Sequence, residues 1–175
     1  MRTSIFRILC GLVVAGAVSG AELAVAANYP LELSNFRSGM SSNHRHARAY
    51  PGIEYNVRAG VVGGAYPFTF SLSNAPSGMT IDSRTGTITW PNPQANASPT
   101  ITVVDSEGTR ISATWTITVT TNGFKFIDAN NGRNAANNGC SSSCGTGTLS
   151  NPWRTVRDMY QNGVPSDFIY FRNGT

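Results

Sequence analysis

Residues 74–90 read NAPSGMTIDSRTGTITW, and this stretch predicts the fold of the region around it. Apolar residues alternate with polar ones on both sides of a polar turn, at Met79, Ile81, Ile88 and Trp90. Within the turn, Asp82 can accept hydrogen bonds from the backbone N–H groups that follow it, and Gly86 can adopt a positive φ without a steric penalty. The stretch therefore predicts a β-hairpin with one buried face and one solvent-exposed face.

The same alternation continues before and after this hairpin. Its apolar members are Ile53, Tyr55 and Val57, then Tyr66, Phe68, Phe70 and Leu72, then Ile101 and Val103, and finally Ile111, Ala113, Trp115, Ile117 and Val119. Pro67 has no backbone N–H to donate, so we expect it at the start of a strand or on a sheet edge. Roughly six or seven short strands over about seventy residues are typical of a β-sandwich.

Residues 66–93, YPFTFSLSNAPSGMTIDSRTGTITWPNP, and residues 101–119, ITVVDSEGTRISATWTITV, carry a recognisable pattern. They resemble the bacterial immunoglobulin-like modules of the "putative Ig" (He_PIG) and dystroglycan-type cadherin-like families, over about residues 49–121. The positions that match are Pro76, Gly78, Met79, Ile81, Asp82, Thr85, Gly86, Ile88 and Trp90. The resemblance implies an Ig-like β-sandwich but no reaction, because such modules serve as spacers, adhesion units and carbohydrate-contact domains.

Cadherin-like modules are often taken to bind Ca²⁺, which makes Asp105 and Glu107 the candidate ligands. The sequence lacks the clustered acidic motifs of true cadherins. Two carboxylates on one turn also fall short of the about six to eight oxygens that Ca²⁺ takes, unless backbone, water or another module completes the shell. The alternative is an ordinary polar hairpin turn, and we expect no cofactor.

The pattern changes after a short linker at residues 121–123. Phe124, Phe126 and Ile127 predict a strand, and residues 128–147 predict a loop rich in Gly, Asn and Ser. Asn151 and Pro152 predict a helix start, as N-cap and first helical residue.

The helix that we predict after Pro152 is amphipathic. Its apolar face consists of Trp153, Val156, Met159 and Tyr160, and its polar face of Arg154, Arg157, Asp158 and Gln161. Gly163 ends it, and residues 167–172 predict a second strand.

This order of strand, loop, helix and strand resembles the entry into a right-handed parallel β-helix, as in pectate-lyase-like proteins. The corresponding residues are Gly147, Pro152, Trp153, Thr155, the strand 167–172 and Gly174. Since a coil needs neighbouring coils to bury its faces, the resemblance implies an incomplete β-helix start at 124–175, with further coils beyond Thr175. The expected fold class is therefore all-β: an Ig-like β-sandwich at 49–121, followed by a truncated start of a parallel β-helix with one short capping helix. We expect residues 124–175 to be cut by proteases sooner than 49–121.

Residues 1–26 predict an export signal, so we expect a secreted or cell-surface protein. Arg2 and Arg7 precede an apolar run at residues 8–18 that is too short to span a bilayer. The small residues at 24–26 predict cleavage before Ala27; cleavage after Gly20 and an uncleaved anchor are the alternatives. Residues 27–48 are expected to be irregular.

Cys140 and Cys144 are the cysteines that remain after signal removal, and in an exported chain they predict a disulfide. A zinc site there would need further ligands, and the two histidines lie far upstream. His44 and His46 could themselves share one face of an extended segment, as a metal requires. Two ligands rarely make a site, so we interpret this segment as a solvated loop.

No catalytic set is evident within the 175 residues. Asp128, Asp158 and Asp167 could supply a carboxylate pair as in glycoside hydrolysis, but we expect Asp158 on a solvated helix face and Asp167 at a strand start. Trp90, Trp115 and Trp153 could stack on sugars, yet their spacing predicts core positions. The net charge of +4 comes from scattered basic residues, which does not indicate a nucleic-acid partner.

Two functional hypotheses remain. The first is an exported, non-catalytic Ig-like adhesion, carbohydrate-contact or spacer module attached to a β-helix domain, with a polysaccharide or cell-surface ligand as partner. The second is the N-terminal accessory region of a β-helix polysaccharide lyase or glycoside hydrolase whose catalytic coils lie beyond Thr175. Whether the complete protein is an enzyme is left open by the sequence.

Overall fold

The structure is a computed structural model, and it describes residues 29–36, 44–163 and 168–172. The predicted export signal at residues 1–26 and the predicted mature start at Ala27 lie outside the described residues, as do Asp167 and Gly174. Within the described ranges the chain is all-β, with twelve short strands, one α-helix and one 3-10 turn at Arg45–Ala47. None of the helices in these ranges has the length and apolar character that crossing a membrane would require.

The elements follow one another along the chain in short segments. The strands are β1 (Glu32–Leu33), β2 (Arg48–Ala49), β3 (Tyr55–Arg58), β4 (Val61–Val62), β5 (Thr69–Ser73), β6 (Thr80–Ile81), β7 (Thr87–Trp90), β8 (Thr100–Val104), β9 (Arg110–Thr114), β10 (Thr118–Val119), β11 (Phe124–Ile127) and β12 (Phe168–Phe171), and the helix is α1 (Val156–Asn162).

The hairpin predicted at residues 74–90 is present. Strand β6 pairs antiparallel with β7, and Ile81 lies opposite Ile88. The Asp82 carboxylate caps the turn by accepting hydrogen bonds from the backbone N–H groups of Arg84 and Thr85, at 2.9 and 2.7 Å. Gly86 has a φ of 68°, as the turn prediction requires. Strand β3 adds to the other side of β7, which completes a three-stranded sheet.

A second three-stranded sheet has the order β5-β8-β9 and is also antiparallel. The long alternating run at residues 111–119 belongs to two strands rather than one, since β9 ends at Thr114. The alternation nevertheless persists, because Trp115 and Ile117 are buried and Thr116 is exposed. Strand β10 then pairs in parallel with β2, with Val119 opposite Ala49.

Side chains of both three-stranded sheets pack into one hydrophobic core. Its buried members are Leu31, Leu33, Phe36, Ala49, Tyr55, Ala59, Phe70, Met79, Ile88, Trp90, Ile101, Val103, Trp115 and Ile117. The first three come from the segment 27–48, which we predicted to be irregular, and β1 and the first residue of β2 also lie there. Because burial of a large apolar side chain contributes roughly 1.5–3 kcal/mol, these contacts hold the N-terminal segment firmly on the core.

The aromatic face predicted for β5 is wrong at its first member. Phe70 is buried and Phe68 is half-buried, whereas Tyr66 is 82% exposed. The strand begins only at Thr69, so the two-residue periodicity of a strand does not extend back to Tyr66. Pro67 precedes the strand, and β5 is an edge strand, as predicted.

The strands predicted near residues 124 and 168 pair with each other. Strands β11 and β12 are parallel over their full length, with Phe124 opposite Phe168 and Ile127 opposite Phe171. Trp153 lies on the other side of β11, since its N–H donates to the Phe126 carbonyl and its own carbonyl accepts from the Asp128 N–H.

The predicted helix start at Asn151 and Pro152 is wrong, because the backbone of Trp153 is bridged to β11 and is not helical. Helix α1 begins at Val156 instead, after the N-cap Thr155, which forms a capping box with Asp158. The predicted faces are wrong as well: Tyr160 is 85% exposed and Val156 is exposed. Helix α1 ends with Gly163 as its C-cap, and the sequence predicted an end at this residue.

Candidate functional site

A cluster of aromatic and arginine side chains connects residues 45–50, which comprise the 3-10 turn, β2 and Tyr50, with the β11–β12 pair. We call this cluster the joint. Its members are Arg45, Arg48, Tyr50, Phe124, Phe126, Phe168 and Tyr170. The Tyr50 ring meets the rings of Phe124 and Phe126 edge-on, with centroid distances of 5.5 and 5.1 Å. Edge-to-face pairs at this spacing are attractive beyond the area that they bury.

Two arginines complete the joint from the same segment. The Arg45 guanidinium carbon lies 5.8 Å from the centre of the Tyr170 ring and 5.1 Å from that of Tyr55. The Arg48 guanidinium carbon lies 5.9 Å from the Phe168 ring centre. Arg45 also donates to the Arg48 carbonyl at 2.9 Å, which fixes its direction. Cations over aromatic faces at these distances are stabilising.

Strand pairing explains why residues 45–50 reach the C-terminal strands. The parallel β2–β10 pair and the Thr120 N–H bond to the Ala49 carbonyl at 2.9 Å set Tyr50 beside the chain just before β11. A hydrogen bond from β3 fixes the 3-10 turn, since the Tyr55 hydroxyl donates to the His46 carbonyl at 2.8 Å. Within the joint, burial raises the pKa of Tyr170, against the opposing charge effect of Arg45, and its hydroxyl has no hydrogen-bond partner in the described part of the chain.

The calcium candidates Asp105 and Glu107 lie on the turn between β8 and β9. Asp105 is buried, and its carboxylate accepts hydrogen bonds from the backbone N–H groups of Ala65, Glu107 and Thr109, at 3.1, 3.1 and 2.8 Å. Desolvation raises the pKa of Asp105, but these bonds outweigh it and the pKa is lowered. The carboxylate thus holds the turn and the 63–66 loop together. Glu107 is exposed, and the described residues contain no group of three or more His, Cys, Asp or Glu side chains arranged to hold a metal ion.

The two histidines do not lie in a fully solvated loop, so that prediction is wrong for His46. The rings of His44 and His46 stack at 5.4 Å across the 3-10 turn. His46 is buried beside Phe36 because the turn directs it into the core. Its Nε2 atom has no hydrogen-bond partner among the residues that the structure describes. Desolvation, followed by the neighbouring His44, lowers the pKa of His46.

The two described carboxylates among those considered for glycoside hydrolysis have different hydrogen-bond partners and do not form a pair. Asp128 accepts from the N–H groups of Asn130 and Asn131 and lies 3.5 Å from the Arg172 guanidinium. The Asn131 N–H bond is the main reason that the pKa of Asp128 is lowered. Asp158, predicted on a solvated face, is instead completely buried and shares none of these partners. Asp167, the third candidate, lies outside the described residues.

The predicted disulfide between Cys140 and Cys144 is present, with the two Cα atoms 5.6 Å apart. The Asn151 amide donates to the Cys144 carbonyl at 2.8 Å, and an Arg133 guanidinium N–H donates to the Ser143 carbonyl at 3.1 Å. The bridge therefore belongs to a loop that is tied to the segment before α1. This arrangement gives the cysteines a structural role.

The three tryptophans occupy core positions, as predicted. Trp90, Trp115 and Trp153 are 4%, 7% and 2% exposed. Their indole N–H groups donate to the Ser77 carbonyl, the Tyr55 hydroxyl and the Gly145 carbonyl. None of the three is placed to stack on a sugar.

The residues of the joint are the ones that sequence reasoning missed. Arg45, Arg48 and Tyr50 lie in a polar segment with weak periodicity, and their partners lie far away in the chain. The alternating aromatic residues Phe124 and Phe126 were a usable signal, because one face of that strand required a cover.

Solved structures with partial similarity include two proteins of Bacteroides fragilis NCTC 9343. One is a "putative alpha-galactosidase/melibiase", with 16% identity and a TM-score of 0.39 over 47% of this chain and 18% of that one. The other is a "putative alpha-galactosidase", with 18% identity and a TM-score of 0.41 over 58% of this chain and 21% of that one. This chain thus spans about a fifth of their length, and similarity at this level carries no conclusion about function. No curated protein sequence matches the chain.

Residues 41–120 match the family model described as "Putative Ig domain". The matched range begins just before the 3-10 turn and ends just after β10, so it takes in both three-stranded sheets. It also takes in Arg45, Arg48 and Tyr50 of the joint. The chain therefore carries an Ig-like domain over these residues.

Proposed function

We propose that the protein is an exported, non-catalytic module in which an Ig-like β-sandwich is fixed to the start of a parallel β-helix, and serves as a spacer or contact domain outside the cytoplasm. The two three-stranded sheets with their common core support the sandwich. The export pattern at residues 1–26 supports the location.

The β-helix start at 124–175 is supported by the parallel β11–β12 ladder and by the position of Trp153. A parallel pair needs a long crossover connection, and here the crossover contains the disulfide loop and α1. Trp153 extends the ladder on the other side of β11. The aromatic residues of β11 and β12 stack in register, as in a coil stack: the Phe126 and Tyr170 rings are 5.6 Å apart.

The joint is the observation that carries the proposal. A flexible tether would leave residues 121–123 as the only link between the two parts, whereas Tyr50 packs on two residues of β11 and the two arginines lie over rings of β12. Contacts to both strands of the pair restrict rotation about the linker. The Ig-like domain would then hold the parallel strands in one orientation, which is what a spacer requires.

Limited proteolysis of the full chain tests this proposal. In the wild type, the joint should protect the C-terminal segment, which revises the expectation of rapid cleavage drawn from sequence. Tyr50→Ala removes two aromatic pairs, worth about 1–3 kcal/mol together, so cleavage after residue 121 should become roughly ten-fold faster or more. Tyr160→Ala, at an exposed tyrosine of α1, is the matched control.

The Ig-like domain itself should remain protected in both variants, since the Tyr50 ring packs on β11 and is not among the buried residues of the hydrophobic core. Rapid cleavage of the wild-type C-terminal segment, at the rate of the Tyr50→Ala variant, would contradict the proposal. Small-angle scattering gives a second measurement: the wild type should fit one compact particle, and the Tyr50→Ala variant should have a larger radius of gyration.

A further inference from the structure

An open cleft lies beside the turn of the hairpin at residues 74–90. It has a volume of about 340 Å³, and Arg58, Tyr66, Phe68, Arg84 and Thr85 are among the residues that line it. Clefts of this size accept small ligands when polar groups converge on an apolar floor. Neither the match to Ig-like domains nor the joint accounts for this combination of side chains.

Hydrogen bonds on both sides hold the turn that forms one wall of the cleft. The Arg58 Nε donates to the Thr85 carbonyl at 3.0 Å, and the Phe70 N–H donates to the Ser83 carbonyl at 2.9 Å. Gly86 lets the Phe70 ring lie directly beneath, since a Cβ at residue 86 would come within 2.8 Å of that ring. The wall is thus preformed rather than dependent on a ligand.

The cleft is cationic. The two terminal nitrogens of Arg58 have no hydrogen-bond or ion-pair partner within the described part of the chain. The same holds for all three guanidinium nitrogens of Arg84. Asp82 is the nearest acidic residue in sequence. Its charge acts on Arg84, but its Oδ1 accepts from two backbone N–H groups of the turn, and the two side chains form no ion pair in the described ranges. None of the described residues lining the cleft is acidic. Two guanidinium groups therefore remain available for an anion from outside.

An exposed aromatic ring stands at the same cleft. Tyr66 is 82% exposed, and its described aromatic contact is one edge-on contact with Phe68 at 5.9 Å. An aromatic face is electron-rich, so it attracts the C–H groups that project from one side of a pyranose ring. A guanidinium binds a carboxylate through two parallel hydrogen bonds, because both groups are planar and their geometries match.

We propose that this cleft binds a uronic acid unit of an acidic polysaccharide. Tyr66 packs against the sugar ring, and Arg58 and Arg84 bind the carboxylate. Charge complementarity selects this occupant, because a neutral sugar would leave both guanidinium groups unpaired. The inference rests on the contact role in the proposed function and specifies its ligand class.

Calorimetric titration of the full chain with trigalacturonate tests the proposal. We expect saturable binding of trigalacturonate and none of neutral maltotriose. Arg58→Ala, Arg84→Ala and Tyr66→Ala should each raise the Kd about ten-fold, as expected for loss of a charge-assisted hydrogen bond or a stacking contact. Arg84→Lys should also weaken binding several-fold, because lysine keeps the charge but lacks the fork.

Matched controls separate the cleft from general charge attraction. Arg110→Ala removes an exposed arginine of β9, and Tyr160→Ala removes an exposed tyrosine of α1; neither should change the Kd. Equal losses in the control and cleft variants would overturn the proposal, as would absence of saturable binding or equal affinity for maltotriose. Tighter binding of a sulfated trisaccharide than of trigalacturonate would overturn the assignment of a carboxylate.

The outcome is independent of the test of the joint. The cleft variants should keep the wild-type proteolysis pattern, since Arg58, Tyr66 and Arg84 have no part in the joint. Loss of C-terminal protection with intact trigalacturonate binding would refute the fixed orientation alone. Intact protection without binding would refute the uronate site alone.

Discussion

Asp158 is the most deeply buried charged side chain in the described ranges, and it carries much of the local structure around α1. Its Oδ1 accepts from the Ala135 N–H and the Asn138 amide, at 2.7 and 2.8 Å. Its Oδ2 accepts from the Thr155 N–H and hydroxyl, at 3.0 and 2.6 Å. Desolvation raises the pKa of Asp158, but these donors outweigh it and the pKa is lowered. One carboxylate thus ties the long loop to the helix start.

Asp158→Asn tests this role at a single residue. An amide has nearly the shape of the carboxylate but only one acceptor oxygen, so at least one buried donor loses its partner. We expect the free energy of unfolding to fall by about 2–3 kcal/mol, measured by urea denaturation. Arg157→Gln, at the exposed neighbouring position, should change it by less than about 0.5 kcal/mol. Similar small effects in both variants would contradict the structural role.

The helix start illustrates what a local pattern can and cannot predict. Asn151-Pro152 is a good start signal, and so is Thr155 with Asp158 three residues later; both are present in one short stretch. The choice between them depends on Trp153, whose backbone pairs with β11 and so cannot be helical. That pairing joins residues distant in sequence, so a local pattern could not predict it. The wrong helix start then also led to the wrong assignment of the helix faces.

The hairpin at residues 74–90 is the element that sequence predicts best, since its register is set by its own turn. Asp82 and Gly86 both have the predicted roles, and the Ala59 N–H bond to the Gly86 carbonyl at 2.9 Å attaches the turn to the end of β3. What the pattern could not predict is that the Phe70 ring would lie under Gly86, because that contact joins the hairpin to the other sheet.

Gly86→Ala therefore carries two penalties at the element scale. The φ of 68° is unfavourable for alanine, and its Cβ would collide with the Phe70 ring. We expect a loss of about 2–4 kcal/mol in unfolding free energy, from strain and overpacking together. Gly108→Ala is the control, because residue 108 also has a positive φ, but a Cβ there meets nothing within 4 Å. It should lose only about 1 kcal/mol. Equal losses would mean that the Phe70 contact is unimportant.

At the scale of the whole molecule, alternation predicted the all-β class and the core positions of Trp90 and Trp115. It could not predict how the Ig-like domain is attached to the β11–β12 pair. Arg45 and Tyr50 belong to a segment without clear periodicity. The β2–β10 pairing and hydrogen bonds to residues distant in sequence direct them toward β11. The uronate cleft was missed for a related reason: Tyr66 fits the alternating pattern of β5 and so was assigned to the buried face. Position before the strand, rather than residue type, made it exposed.

Stability of the whole molecule should depend on pH in two separate ranges. The pKa values of Asp82, Asp105, Asp128 and Asp158 are all lowered in the folded state. The unfolded chain then binds more protons below the ordinary aspartate pKa of about 3.9, so unfolding becomes easier as pH falls through that value. His46 has a lowered pKa too, and its ordinary value of about 6.5 places its contribution at higher pH.

The pH range in which His46 takes up a proton provides the more specific test. As pH falls below about 6.5, the unfolded chain takes up a proton at residue 46 while the folded chain resists it, because His46 is buried and faces His44 and the apolar ring of Phe36. Unfolding free energy measured in urea should therefore decline between pH 7 and pH 5. His46→Phe keeps an aromatic ring in the core and should flatten this decline. His44→Phe should leave most of the decline in place. An unchanged slope in His46→Phe would show that another group titrates there.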